Sequence, residues 1–312
     1  MHLKYRNEQT VVIPEPQRQT VDKHHYATAD YLRLVLVFGC AVTGFALTFF
    51  YGSDVFKAVT ALAGNDAFVG FLVETVHFAL AIAVAVLIGW ALVQAGAVNQ
   101  AMAKDTWIAP IADFFQRYGL KTAFLLLALI GLYRITDIVP GVISNVFYQD
   151  LGFSKPEIAT AVKTFGVIVS IIGGFAGGLF ATRFGVMRTL MWGAMLTAFT
   201  NLVFVWLAYA GHDVPVMYLA VTADNLAAGF ASAAFVAFLS SLTNVSFTAV
   251  QYAIFSSLMT LLPKTIGGYS GTMVDGIGYP GFFIFVTLIG IPVLWLVWAV
   301  GKHLQVEQSP SA

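Results

Sequence analysis

Charged residues are scarce in this sequence. They account for 10% of the 312 residues, whereas hydrophobic residues account for 59%. A soluble domain carries about 25% charged residues. A water-soluble fold with so few charges would expose apolar surface and aggregate, so the composition predicts an integral membrane protein. The formal net charge of zero gives no general attraction to nucleic acid, and we expect none as a partner.

Cysteine and catalytic motifs are also scarce. The single cysteine, Cys40, excludes an internal disulfide and is expected to fill space in an apolar run. The sequence has no metal-ligand set, nucleophile motif or phosphate loop, so we predict neither an enzyme nor a cofactor. The first 30 residues are polar and lack a signal-peptide core. They are predicted to be a cytoplasmic tail or a loop between helices.

Long apolar runs follow this polar segment. A helix that crosses a bilayer needs about 20 mostly apolar residues, and the runs are too long for the strands of a membrane barrel. Eight spans are predicted: 31–51, 69–96, 121–147, 157–180, 189–210, 215–241, 248–273 and 280–300. The seventh is expected either to end near Leu262 or to continue as a broken helix, because Pro263, Lys264 and two glycines interrupt it.

The basic residues of the loops predict the orientation. One side holds the N-terminal tail and Lys104, Arg117, Arg183, Arg188 and Lys302, and the other holds Lys57, Lys155 and, at the interrupted seventh span, Lys264. Both termini are therefore predicted to be cytoplasmic. The predicted segments are a tail (1–30), two helices (31–98), a linker (99–120), six helices (121–303) and a second tail (304–312).

The linker is predicted to form an amphipathic helix. Its pattern places Ile108, Ile111, Phe115 and Tyr118 on one face, and Asp113 has the i,i+4 spacing to pair with Arg117. Such a helix would lie on the cytoplasmic membrane surface or pack on the protein, and the sequence leaves both open.

Span four contains two pairs of glycines at a spacing of four, Gly173 with Gly177 and Gly174 with Gly178. Small residues at this spacing let two helices in lipid approach closely. We therefore predict that this segment packs against a neighbouring helix.

Arg134 and Asp137 lie within the third apolar run. Arg134 is about 20 Å along the helix from Lys121, near the middle of a hydrocarbon layer about 30 Å thick. A charge there costs at least about 2.5–3.5 kcal/mol, so neither residue is expected to face lipid. Their i,i+3 spacing allows them to pair. Pro140 and Gly141 are expected to loosen the helix just beyond them.

Lys163 in span four and Asp224 in span six, followed by Asn225, are predicted to lie in the same layer as Arg134 and Asp137. Two positive and two negative charges would sum to zero there. The set is interpreted either as a substrate pathway or as ion pairs that only lock the bundle together.

Span two contains a second polar pair. Glu74 and His77 have i,i+3 spacing near the outer end of their helix. They are interpreted as interfacial polar residues, or alternatively as a proton relay or a metal site, although two ligands are too few to predict a metal.

The loop between spans four and five reads GLFATRFGVMR. Its Gly178, Arg183 and Gly185 resemble the G-x-x-x-D-R-x-G motif of the major facilitator superfamily, and Arg188 ends the loop. Thr182 stands where that family prefers aspartate, which places the gating role of the aspartate in doubt for this chain.

The last six spans resemble the C-terminal half of the AmpG family of this superfamily. The resemblance covers about residues 105–303 and is most specific in SAAFVAFLSSLTNVSFTAVQYA. It implies that the last six helices form one half of a major facilitator fold. It also implies a permease of the bacterial inner membrane that imports anhydromuropeptides for cell-wall recycling with the proton motive force. The first two spans resemble a helix pair that longer members insert between their halves.

The family pattern carries over to a small set of residues. It implies substrate contacts for Arg134, Lys163, Asn225 and Gln251, and proton coupling for Asp137 or Asp224. Tyr133 and Tyr252 are candidates for stacking on sugar rings, with packing in the bundle as the alternative.

A complete transporter of this class has two halves around a cavity. We therefore expect this chain to be a fragment or split subunit that needs an N-terminal six-helix half. The alternatives are a non-transporting scaffold or regulatory subunit and an importer of another anionic solute, such as an acyl-CoA.

Overall fold

The computed structural model describes residues 26–64, 66–244 and 246–307, and every regular element in these ranges is helical. The α-helices are α1 (Thr28–Leu62), α2 (Ala67–Gln94), α3 (Gln100–Ala103), α4 (Ala109–Leu132), α5 (Ile135–Asp150), α6 (Lys155–Ile158), α7 (Gly166–Phe184), α8 (Val186–Ala210), α9 (Val214–Leu242), α10 (Thr248–Gly267) and α11 (Ser270–Glu307). Two π-helical segments, Lys104–Ile108 and Ala159–Phe165, join α3 to α4 and α6 to α7. The all-α prediction is confirmed. Most of the two predicted tails lies outside the described residues, although α11 extends past residue 304.

Seven helical stretches within the described residues are long and apolar enough to cross a membrane. They are Thr28–Leu62, Ala67–Gln94, Gln100–Asp150, Lys155–Phe184, Val186–Ala210, Val214–Leu242 and Ser270–Leu304. The prediction of an integral, multi-pass membrane protein is confirmed.

The predicted seventh span, 248–273, differs from the others. It forms α10, whose 20 residues give a length of about 30 Å, but it is less apolar than the other seven. The helix continues through Pro263 to Gly267, so the predicted break at Pro263 does not occur.

The chain divides into two compact units at Arg117 and Tyr118. We call the part up to Arg117 the hairpin unit and the part from Tyr118 the bundle unit. In the hairpin unit, α1 and α2 pack side by side, and a small core of Val37, Val98 and Ala103 lies at one end.

In the bundle unit, α9 packs between α7 and α8, and α11 packs against both α8 and α5. Helix α10 packs mainly on α5. Phe147, Phe204 and Phe283 form an aromatic cluster at the junction of α5, α8 and α11, with ring centroids 5.0–6.2 Å apart. These contacts fix the position of α5, which carries Asp137.

The predicted third span is not one continuous helix. It is interrupted at Tyr133 and Arg134, where Arg134 has φ −96° and ψ 15°, and α5 starts at the next residue. The expected loosening at Pro140 is absent, because α5 stays helical to Asp150. The discontinuity therefore lies at the charged pair rather than beyond it.

A side chain from α8 explains why α5 tolerates Pro140. Proline has no N–H, so the carbonyl of Thr136, four residues earlier, loses its helical partner. The side-chain amide of Asn201 donates a hydrogen bond to this carbonyl at 3.0 Å. An unsatisfied carbonyl in a bilayer would cost several kcal/mol, so this bond stabilises the helix.

Of the two glycine pairs of span four, Gly173 and Gly177 meet α9 closely, as predicted, whereas Gly174 and Gly178 do not. A Cβ atom on Gly173 would lie 3.0 Å from the carbonyl carbon of Leu226, and one on Gly177 would lie 2.9 Å from that of Phe230. Gly229 of α9 approaches the backbone of α7 in the same way. Gly178, in contrast, has open space beside it.

The linker forms α3, a π-helical segment and the start of α4, and Gly119, with φ 66°, separates it from the rest of α4. Arg117 Nε donates to Asp113 Oδ2 at 2.9 Å, as the spacing predicted. Of the predicted apolar face, Ile108 and Ile111 are exposed and Tyr118 is buried. Its place on a membrane surface stays a prediction.

Candidate functional site

The centre of the candidate site is the interruption between α4 and α5. Arg134 Nε donates to Asp137 Oδ2 at 2.9 Å, and a second guanidinium nitrogen also contacts this oxygen. The side chains are 24% and 15% exposed, so the pair is largely shielded from the surroundings. The first turn of α5 thus holds an arginine and an aspartate as the pair that their spacing predicts.

Asp224 joins this pair from another helix. It lies in α9, is half-buried, and interacts electrostatically with Asp137 and Arg134. It also interacts with Tyr148 on α5. The structure therefore brings together three of the four charges predicted to share a layer, two carboxylates and one guanidinium.

Lys163 is the fourth predicted charge. It lies in the π-helical segment Ala159–Phe165, and its side chain is exposed. No carboxylate of the described residues is within 4.0 Å of its ammonium group. π-Helical turns occur frequently at functional sites, because they shift a side chain out of the regular register. Lys163 thus forms no ion pair with Asp137 or Asp224, the carboxylates of the predicted layer.

Asn225 lies next to this segment. Its Nδ2 donates to the carbonyl of Val221 at 2.9 Å, and a Cβ atom on Gly166 would lie 3.0 Å from the same nitrogen. Since Gly166 is one turn beyond Lys163, the two predicted substrate contacts lie at neighbouring levels of α7 and α9.

Two predicted binding residues lie elsewhere. Gln251 is 1% exposed, and its Oε1 accepts a hydrogen bond from the backbone N–H of Asn244 at 2.7 Å. Through this bond Gln251, on α10, holds the connection between α9 and α10 in place. Tyr252, the next residue, is half-buried near the same end of α10. Their substrate contacts stay predictions, and the structure gives Gln251 a role in the loop.

Tyr133 is enclosed in the bundle unit. It is 1% exposed, its ring stacks on Phe235 at 4.7 Å, and its hydroxyl donates to the carbonyl of Leu190 at 3.0 Å. Gly193 leaves room for that hydroxyl, since a Cβ there would lie 2.6 Å from it. This position favours packing over the predicted stacking on a sugar.

The loop that resembles the major facilitator motif changes direction at a single residue. Gly185, with φ 86°, joins α7 to α8 and adopts a conformation that favours glycine. Arg183 lies over the Phe184 ring at 5.7 Å, and both Arg183 and Arg188 are exposed. The Thr182 hydroxyl donates to the carbonyl of Leu179 at 2.8 Å, a bond back onto its own helix. Gating by this loop stays a prediction.

The sequence analysis missed a buried polar cluster beside Asp137. Thr136 donates to the hydroxyl of Thr197 at 3.2 Å, and Asn201 donates to the carbonyls of Thr136 and Thr197. All three residues are at most 5% exposed, and Asn201 Oδ1 has no hydrogen-bond partner in the part of the chain that the structure describes. A threonine and an asparagine four residues apart in an apolar span were the available signal.

The pair in the hairpin unit also forms. His77 Nδ1 lies 3.3 Å from Glu74 Oε2. Within the described residues, no group of three His, Cys, Asp or Glu side chains could hold a metal ion. The carboxylate and the imidazole are paired, and their interpretations as interfacial residues, a proton relay or a metal site stay predictions.

No family model matches the chain, but curated proteins do. A protein of Rickettsia felis, provisionally named transporter AmpG 4, is 33% identical over 199 residues, which cover 64% of this chain and 47% of that protein. The protein of the same name from Rickettsia conorii is 32% identical, and the matched residues cover 65% of this chain and 48% of that protein. The resemblance to AmpG-type transporters is confirmed. An uncharacterised protein of Haemophilus influenzae is 35% identical over 208 residues, 64% of this chain and 49% of that protein. The chain thus spans about half the length of these AmpG-type relatives.

Proposed function

We propose that the chain forms part of a proton-coupled permease that imports anhydromuropeptides across the bacterial inner membrane. The observation that carries this proposal is the intramembrane cluster of Arg134, Asp137 and Asp224 in a chain similar to proteins named as transporters. Ionisable groups in membrane spans usually line substrate or proton pathways, because each is costly to insert. The proton motive force supplies the energy, and no cofactor takes part.

The cluster has the residue types that such a substrate requires. Muropeptides carry peptide carboxylates, which Arg134 and Lys163 would bind through charge-assisted hydrogen bonds. Asp137 and Asp224 interact electrostatically, and two neighbouring carboxylates favour the binding of a proton by one of them. A substrate carboxylate would therefore compete with Asp137 for Arg134, and a proton bound by Asp137 would release Arg134 to the substrate.

A second six-helix half completes the proposed transporter. Lys163 is exposed about two turns into a predicted span, where an ammonium group in contact with lipid would be costly. A facing wall that encloses a wet cavity would remove this cost. The half-length match to the AmpG-type relatives supports the same conclusion. Both termini would be cytoplasmic.

Uptake of labelled anhydromuropeptide tests the proposal. The chain is expressed with a matching N-terminal half in cells that lack their own permease. Arg134→Ala and Asp224→Asn are expected to lower uptake at least about tenfold, the equivalent of about 1.4 kcal/mol. Arg33→Ala is the matched control, because Arg33 is exposed on α1, outside the cluster, and should leave uptake unchanged. Undiminished uptake by both cluster variants would refute the assignment.

One observation favours a different role. Arg134 and Asp137 already satisfy each other, as in a structural ion pair that holds a scaffold together. A non-transporting subunit would bind a partner chain, and anhydromuropeptide would not raise its unfolding temperature. An acyl-CoA importer would be stabilised by acyl-CoA instead, so a thermal shift with both ligands separates the three functions.

A further inference from the structure

The hairpin unit encloses a histidine in a site shaped for a flat ring. His77 of α2 is fully buried, and its imidazole lies between Phe49 and Phe56 of α1, with ring centroids 4.9 and 4.2 Å away and both interplanar angles 13°. Gly52 provides the space, since a Cβ there would lie 2.8 Å from Nε2. The phenylalanines and the glycine share one face of α1.

Both ring nitrogens face hydrogen-bond acceptors. Nδ1 lies 3.3 Å from the Glu74 carboxylate, and Nε2 lies 3.3 Å from the backbone carbonyl of Thr48. A neutral imidazole has one N–H and one lone pair, so it can donate to only one of the two. The doubly protonated imidazolium donates to both.

The aromatic rings favour the same protonation state. The face of a phenyl ring is negative, so a cation between two such faces is attracted to both. An imidazolium at this position therefore has two acceptors in its plane and an aromatic face on each side. A neutral ring would place one lone pair against an oxygen.

Glu74 connects this site to the surroundings. Its side chain is 49% exposed and lies about 10 Å along α2 from Ala67, at the end nearer the α1–α2 connection. Glu74 and His77 are the only ionisable residues of α2. On α1, Asp54 and Lys57 are exposed near this level, and neither forms an ion pair with the site among the described residues.

We propose that Glu74 and His77 form a proton-binding site that fastens α2 to α1. With the proton bound, the imidazolium joins the Glu74 carboxylate to the Thr48 carbonyl. On release, the Nδ1 proton passes to the Glu74 carboxylate and then to water, while Nε2–H keeps its hydrogen bond to the Thr48 carbonyl. The neutral ring then loses its bond to Glu74, which lies on α2 itself, and its cationic attraction to the two rings of α1. The bond to Thr48 remains, but the weaker attraction to the rings loosens the contact between the two helices at this level.

The protonation state is tested by ¹⁵N NMR of histidine-labelled full-length chain in lipid nanodiscs, between about pH 5 and about pH 9. The His77 signals are identified by their loss in His77→Gln. Glu74→Gln keeps the shape but removes the charge, so at about pH 6.5 the imidazolium fraction should fall about twofold or more. Asp54→Asn, a nearby carboxylate that does not touch the ring, is the matched control and should leave the fraction unchanged.

The helix contact is tested with spin labels attached to Val59→Cys on α1 and Leu72→Cys on α2, in a Cys40→Ala background, by measuring the distance between the two labels. The distance distribution should be narrow at low pH and broaden reversibly at high pH. His77→Phe keeps an aromatic ring but cannot bind a proton, so its distribution should not respond to pH. A pH response that persists in His77→Phe, or an equal effect of Asp54→Asn and Glu74→Gln, would overturn the proposal. These tests need neither substrate nor a second half, so their outcome is independent of the proposed transport.

Discussion

Replacing Gly173 by alanine should weaken the contact between α7 and α9. The added Cβ would lie 3.0 Å from the carbonyl carbon of Leu226 and 3.1 Å from its Cα, against ordinary contacts of 3.4–4 Å. It would also overlap the carbonyl oxygen of Leu226. Because these are backbone atoms in a helix, relief requires the two helices to separate by about 0.5–1 Å, which forfeits a quarter to a half of the local dispersion energy.

The neighbouring Gly174 supplies the control for this prediction. A Cβ there would lie 3.9 Å from the carbonyl of Gly229, an ordinary contact. Both variants replace glycine by alanine in one helix, so the difference in helix propensity cancels. Overpacking costs about 1–3 kcal/mol, and we expect Gly173→Ala to be less stable than Gly174→Ala by that amount. Reversible unfolding of the full chain in mixed micelles, followed by tryptophan fluorescence, measures it. Equal free energies of unfolding would refute the reasoning.

Two further predictions concern polar contacts. Asn201→Leu should lower the free energy of unfolding by about 1–2 kcal/mol, because the Thr136 carbonyl loses its donor. In a Pro140→Ala background, which restores a backbone N–H, the same substitution should cost less. A double-mutant cycle without coupling would contradict this. Partial burial, together with the hydrogen bond to Asp105 and its charge, raises the pKa of Tyr26. The hydrogen bond from Tyr26 to Asp105 is therefore complete below the ordinary tyrosine pKa and is lost as the pH rises through the pKa of Tyr26 in the folded protein. In Asp105→Asn, absorbance titration should show that Tyr26 ionises at lower pH. An unchanged titration would exclude the contact.

Helix type and most spans could be predicted from the sequence because the bilayer imposes strict demands. Each crossing needs about 20 apolar residues with internally satisfied backbone, and local composition records this directly. The span at 248–273 is the exception: α10 is long enough, but its hydroxyl-bearing and charged side chains make it less apolar than the others.

The shape of the third span could not be predicted because it depends on a distant helix. Pro140 was the visible breaker, yet Asn201, more than 60 residues away, supplies the missing hydrogen bond and keeps α5 helical. The actual interruption is at Arg134, where no proline or glycine marks it. Local signals therefore identified a weak helix but not where it would break.

The candidate site was predictable as far as charge and spacing determine it. Arg134 and Asp137 pair because they are three residues apart, and Asp224 approaches them from α9. The roles of Tyr133 and Gln251 depend on tertiary neighbours, Phe235 and the backbone of Asn244, which no local pattern reveals.

The hairpin unit has a consequence for how such chains can diverge. It supplies two adjacent membrane-crossing helices, α1 and α2, which pack on each other and share an internal polar contact through His77. A segment with an even number of crossings returns the chain to the side from which it started. Gaining or losing this pair would therefore preserve the topology of every later helix, whereas gain or loss of a single helix would invert them all. A helix pair is thus the smallest unit that can be gained or lost here without inverting the helices that follow.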